Sequence, residues 1–126
     1  MTSMANGEHI LMVEDDRTIR ILMDFGLRRA GYEVKTAKDG SEGMLHLETH
    51  QPGLILLDIY MPNMDGIRLL RWIREQERFA HTPIIIISAA EDEEEAVRGI
   101  GATEFLAKPV DMVTLLAKVQ SLFRKT

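Results

Sequence analysis

Short apolar runs alternate along the chain with longer stretches in which apolar residues recur every three or four positions. The runs are HILMV (9–13), LILLD (54–58), PIIIIS (83–88) and EFLA (104–107). Uninterrupted aliphatic runs of this length suit strands covered on both faces of a parallel sheet. YEVKT (32–36) differs: Tyr32, Val34 and Thr36 alternate with Glu33 and Lys35, which suits an edge strand with one wetter face. The longer stretches predict helices. In 16–30, Ile19, Leu22, Met23, Gly26, Leu27 and Ala30 share a face, and Gly31 is a plausible stop. Gly43, Met44 and Leu47 mark a helix over 39–50, and Ile67, Leu70 and Ile73 one over 65–78. Met112, Leu115, Leu116, Val119, Leu122 and Phe123 mark the last, over 111–125, with Asp111 as its cap. The weakest helix is 91–98, EDEEEAVR, anchored only by Ala96 and Val97 before Gly99 and Gly101. Its acidic start reads as a solvated first turn favoured by the helix dipole.

Five strand–helix units in strict alternation predict an α/β domain, a doubly wound five-stranded parallel sheet with five helices. The 126 residues suit one domain, without internal repeat or linker. A net charge of −5 gives no basic footprint for gripping nucleic acid. The absence of cysteine excludes disulfides and thiolate chemistry and fits a cytoplasmic setting. The opening MTSMANGEH lacks a signal-peptide pattern, and no apolar run approaches the roughly 20 residues of a membrane span.

Doubly wound sheets bind ligands outside the carboxyl ends of their strands. The first run ends in Glu14, Asp15 and Asp16, the third in Asp58, the fourth in Ser88, and the fifth in Lys108-Pro109. Like charges about 4 Å apart repel by on the order of 4 kcal/mol at an effective dielectric of 20. Glu14, Asp15 and Asp58 brought together therefore need a cation. An all-oxygen set describes Mg²⁺ better than Zn²⁺, and none of the four histidines stands at a strand's carboxyl end. A divalent ion beside a carboxylate, with a lysine and a hydroxyl nearby, suits phosphoryl transfer through an aspartyl-phosphate. Taken singly, each residue has a plainer reading. Asp58 could be a turn residue, Ser88 could satisfy a backbone group, and Phe105 could be ordinary core.

ILMVEDD (10–16), LLDIYMPNMDG (56–66), IIISAA (85–90) and AKPV (107–110) together resemble the receiver domain of a bacterial two-component response regulator. The likeness covers roughly 8–124 of a single domain over 1–126. It implies the CheY-like, flavodoxin-like fold with strand order 2-1-3-4-5. It also implies a phosphorylation-activated switch rather than an enzyme, beyond Mg²⁺-assisted self-phosphorylation and dephosphorylation. Asp58 is the expected phosphoacceptor. Asp15 is the more direct Mg²⁺ ligand, Glu14 acts mainly through water, and the Tyr60 backbone carbonyl completes the set. Lys108 binds the phosphoryl group ahead of a cis Pro109, Ser88 is the switch hydroxyl, and Phe105 is the switch aromatic. Asp16 is expected to cap the first helix, Met61-Pro62 to turn the chain, and Asp65-Gly66 to start the next helix. The implied partners are a sensor histidine kinase or histidine-phosphotransfer protein and a downstream effector. Neither direct nucleic acid binding nor membrane attachment is implied, and the expected state is a monomer or weak homodimer.

Two features depart from the family pattern. The interval from Ser88 to Lys108 is shorter than usual by roughly half a helical turn, near VRGIGATEF. Tyr60 is also bulky for a position beside the phosphate. Three rivals stand beside this reading. A flavin carrier would repel its phosphate with EDDRTIR, and an Asp-nucleophile phosphatase would want an acid where Tyr60 stands. The third is a receiver-like scaffold that binds partners without phosphorylation.

Overall fold

The computed structural model describes residues 9–61 and 65–123. Pro62 and the last two residues of the expected 111–125 helix lie outside them. Among the described residues five strands form one parallel sheet: β1 (His9–Val13), β2 (Glu33–Ala37), β3 (Leu54–Asp58), β4 (Ile84–Ser88) and β5 (Glu104–Ala107). Their spatial order is β2-β1-β3-β4-β5, as expected. All five residues of β1, β3 and β4 are buried, whereas Glu33, Lys35 and Thr36 of β2 are exposed. The alternating strand is thus one edge, although Ala37 rather than Thr36 faces the core, and β5, read from its aliphatic run as covered on both faces, is the other.

Among the described residues five α-helices cover the sheet: α1 (Arg17–Arg29), α2 (Gly40–Thr49), α3 (Gly66–Glu75), α4 (Glu94–Ile100) and α5 (Met112–Leu122). The side-chain period of two divides each strand between two cores. Leu11, Val13, Ile55, Leu57, Ile84 and Ile86 pack with Leu47, Leu69, Ile73 and Val97 from α2, α3 and α4. Ile10, Met12, Leu54, Leu56, Ile85 and Ile87 pack with Met23 and Leu27 of α1 and Leu115 and Val119 of α5.

Aspartates cap four helices, which is why each starts where it does. The side chains of Asp16, Asp39, Asp65 and Asp111 accept from the backbone N–H of Ile19, Glu42, Arg68 and Thr114. Gly31 follows α1 with φ 100°, a region that favours glycine. Several helical expectations shift. Leu22 and Ala30 are exposed, so the buried stripe of α1 narrows to Met23 and Leu27 with Ile19 beside it. The 65–78 helix stops at Glu75, and Glu77–Phe79 is a 3-10 turn that drops Phe79 fully into the core. The acidic 91–98 helix divides into a 3-10 turn, Glu91–Glu93, and the seven-residue α4. Val97 anchors it with the half-buried Ile100 beside it, whereas Ala96 faces out. At seven residues α4 is the shortest of the α-helices among the described residues.

Candidate functional site

The carboxyl ends of β1, β3, β4 and β5 bring the expected residues to one edge. Glu14 follows β1 and is 1% exposed. Its Oε2 accepts from the Asp16 backbone N–H at 3.1 Å. Arg20 in α1 reaches back, and its Nη1 donates to the carbonyls of Glu14 at 2.8 Å and Asp15 at 3.3 Å. The acidic turn is thereby held from both sides, with Asp15 exposed at its tip and Asp16 spent on the cap.

Asp58 ends β3 and is 2% exposed. Lys108 follows β5, across a cis bond to Pro109. Its Nζ lies 3.3 Å from Asp58 Oδ2 and 3.4 Å from Glu14 Oε1. Glu14, Asp15 and Asp58 each offer an oxygen within 4.8 Å of the others, the one such ligand group among the described residues. Burial first, then the charge of Glu14, pushes Asp58 up to about 7, against the pull of Lys108. Burial lowers Lys108, but Asp58 and Glu14 outweigh it and the net shift is upward. A rise from 3.8 to about 7 corresponds to a cost of up to about 4 kcal/mol for an ionised Asp58. The four buried aliphatic side chains before it, Leu54 to Leu57, contribute roughly 1.5–3 kcal/mol each. Packing wins, and the carboxylate stays where the strand puts it.

Glu14 Oε1 and Asp58 Oδ2 are buried and carry no hydrogen bond, only the ion pairs with Lys108. One ammonium against three carboxylates leaves net negative charge. An oxygen-only donor set with such undersatisfied atoms fits a hard divalent cation.

Ser88 ends β4 and is fully buried. Its Oγ accepts from the Ala90 N–H at 3.0 Å, so its own hydrogen is left to donate. Lys108 N donates to Ser88 O at 2.9 Å, which ties the hydroxyl strand to the lysine. Phe105 lies in β5 and packs into the core on the α2–α4 face. Tyr60, 53% exposed, donates its hydroxyl hydrogen to Glu93 and so links the segments leaving β3 and β4.

Sequence reasoning missed Arg20, the Tyr60–Glu93 link and the role of Gly66. Gly66 N donates to Ile59 O at 2.6 Å, so α3 begins pressed against the strand that carries Asp58. The Asp-Gly pair was visible, but it signals a helix start equally well without that contact.

The profile of the response regulator receiver domain family matches residues 10–120. The chain is 40% identical over 123 residues to the transcriptional regulatory protein GltR of Pseudomonas aeruginosa, covering 96% of this chain and 51% of that protein. It is 35% identical over 122 residues to the alkaline phosphatase synthesis transcriptional regulatory protein PhoP of Bacillus subtilis, covering 95% and 50%. The chain thus spans about half the length of the curated relatives it matches. Among solved structures, the Vibrio cholerae chemotaxis protein CheY4 superposes with a TM-score of 0.84 at 32% identity, covering 95% of this chain and 99% of that one. The response regulator TrrA of Thermotoga maritima, in complex with Mg²⁺ and BeF, gives 0.83 at 30% identity, covering 91% and 98%. With the sheet order, the strand-end residues and the sequence in agreement, the chain belongs to the response regulator receiver domain family.

Proposed function

We propose that residues 1–126 form a single receiver domain that accepts a phosphoryl group on Asp58 and changes its partner-binding surface in response. The observation that carries this is the Lys108 ammonium standing between the buried carboxylates of Asp58 and Glu14. A histidine kinase or phosphotransfer protein would donate the group. The Asp58 carboxylate oxygen attacks phosphorus, the P–O bond forms as the donor's P–N bond breaks, and the imidazole leaves. Glu14, Asp15, Asp58 and the Tyr60 carbonyl would hold Mg²⁺, which supplies charge neutralisation on the phosphoryl oxygens. Lys108 pairs with the phosphoryl oxygens in place of the free carboxylate. Ser88 donates its remaining hydrogen to one of them, and Phe105 follows into the space that Ser88 vacates. The output is a downstream effector, reached through the surface of 89–108 and α5.

Intact mass after acetyl phosphate or beryllofluoride treatment tests the reading. Mg²⁺-dependent addition on Asp58 supports it. A full-length chain that stays unlabelled under both reagents returns the scaffold reading.

Lys108→Ala is expected to accept the phosphoryl group yet not to switch, because the oxygens lose the cation that couples them to β5. Amide NMR spectra before and after beryllofluoride provide the check, and a wild-type shift pattern around Ser88 and Phe105 in the variant removes the coupling role. Tyr60→Ala is expected to shorten the phosphoryl lifetime several-fold by opening the approach for water. Tyr60→Phe, which loses the Glu93 hydrogen bond but keeps the ring, separates bulk from bonding. An unchanged lifetime in the alanine variant disposes of the shielding role.

A further inference from the structure

The sheet has a second cluster of chemistry-bearing side chains, at its other end. His9 opens β1 and is buried, His46 lies in the last turn of α2, and His50 is the residue that caps it. His9 Nε2 and His46 Nε2 face each other at 2.9 Å. The ring centroids of His9 and His46 are 5.1 Å apart, and those of His46 and His50 are 4.4 Å apart in a parallel stack. His9 and His50 are 6.2 Å apart, edge to face. A shared proton between two neutral imidazoles explains the first contact. It gives no reason for a third ring stacked on the pair.

We propose that His9, His46 and His50 form a binding site for a divalent transition ion of the zinc class. Imidazole nitrogens favour Zn²⁺, Cu²⁺ and Ni²⁺ over Mg²⁺. His46 lies in the last turn of α2 and His50 is its extended C-cap, so both rings come from the same helix end. Tetrahedral zinc with bonds of about 2.0–2.1 Å separates two nitrogens by about 3.3 Å, so the His9–His46 pair opens by about 0.4 Å and the proton between the two Nε2 atoms passes through solvent to the Nδ1 of its ring. The three rings do not yet place three nitrogens within 4.8 Å of one another. His50 must therefore turn out of its stack. Its Nδ1 lies 2.8 Å from Thr49 Oγ1, whose hydrogen can point to the His46 carbonyl at 3.4 Å. In that arrangement His50 Nδ1 is the donor and Nε2 carries the lone pair, the outer-sphere support common among metal-bound histidines.

Burial, followed by the charges of His9, His50 and Lys35, lowers His46 to about 4, so its ring is neutral at pH 7. Glu33 pairs with His9 in the β1–β2 register and shares its face of the sheet, offering a carboxylate or, through water, a fourth position. Lys35, on the same face, opposes a cation there. The site lies roughly 16 Å along β1 from the acidic cluster, so the two can be occupied independently.

The test is Zn²⁺ titration of the whole chain in excess Mg²⁺, which competes for the acidic cluster, followed by calorimetry and by histidine ring nitrogen NMR. One zinc per chain is expected, with signals of His9, His46 and His50 shifting while the exposed His81 stays put. His46→Gln is expected to lower the affinity by about 100-fold, and His50→Gln, at the helix end, by about 10-fold. Wild-type protein that binds no zinc overturns the proposal. So does zinc that shifts only residues around Asp58, or binding unchanged in both variants.

Discussion

Asp58→Asn is expected to take no label from acetyl phosphate and to be the more stable protein above pH 7. The unfolded carboxyl loses its proton near 3.8 and the folded one near 7. Between those values the native state holds more protons than the unfolded one, so stability falls as pH rises through the interval. The penalty is complete above about 7 and absent below about 4. Asparagine keeps the shape and removes the charge. The ceiling on the gain is about 4 kcal/mol. Roughly 2 kcal/mol is the expected figure, because Lys108 keeps Glu14 but loses its second carboxylate. Urea midpoints of the two proteins should diverge at about pH 8 and converge at about pH 4. Mg²⁺ should narrow the gap, since it binds the native wild type and not the variant's weakened site. Equal midpoints at both pH values would show that Asp58 pays no burial penalty.

The placing of ionisable residues at the ends of buried strands is also why so much was readable from residues alone. The strand-end acids, Lys108 and Ser88 interrupt aliphatic runs, and an interrupted run is visible in a linear sequence. The β2 edge strand showed itself by its alternation, and the caps Asp16 and Asp111 and the helix start at Asp65 by their positions ahead of the helical stripes, whereas the Asp39 cap was not read. What stayed hidden depends on contacts between distant segments. Leu22 has the spacing of a core residue but is exposed, because the α1 stripe that meets the sheet is narrower than helical period alone implies. Phe79 left no periodic signal, since a 3-10 turn rather than α3 carries it into the core. The imidazole cluster joins residues 37 and 41 positions apart, and Arg20 acts on backbone carbonyls that no motif encodes.

Gly66→Ala should produce the largest loss of stability among single-methyl changes near the site. A Cβ at this position would lie 2.3 Å from the Asp58 carbonyl oxygen, 2.5 Å from Ile59 Cα and 2.9 Å from the Ile59 carbonyl oxygen. Every one of these neighbours is backbone, so no rotamer change relieves the overlap. Alanine has the better helix propensity by about 1 kcal/mol, which favours the variant locally. Overpacking costs about 1–3 kcal/mol in ordinary cores and more where the neighbour cannot move. Contact with β3's backbone puts Gly66 at the upper end, so the clash should outweigh the propensity and leave a net loss of roughly 2 kcal/mol or more. The 2.6 Å bond from Gly66 N to Ile59 O must lengthen as α3 backs away. Because that bond lies one residue beyond Asp58, the same displacement should slow labelling by acetyl phosphate about 10-fold or more, the scale of loss that a shift near 1 Å produces. Urea denaturation and the labelling rate, measured on the same preparation, separate the outcomes. A stable variant that labels at the wild-type rate would mean that α3 can shift without carrying β3 and Asp58 with it.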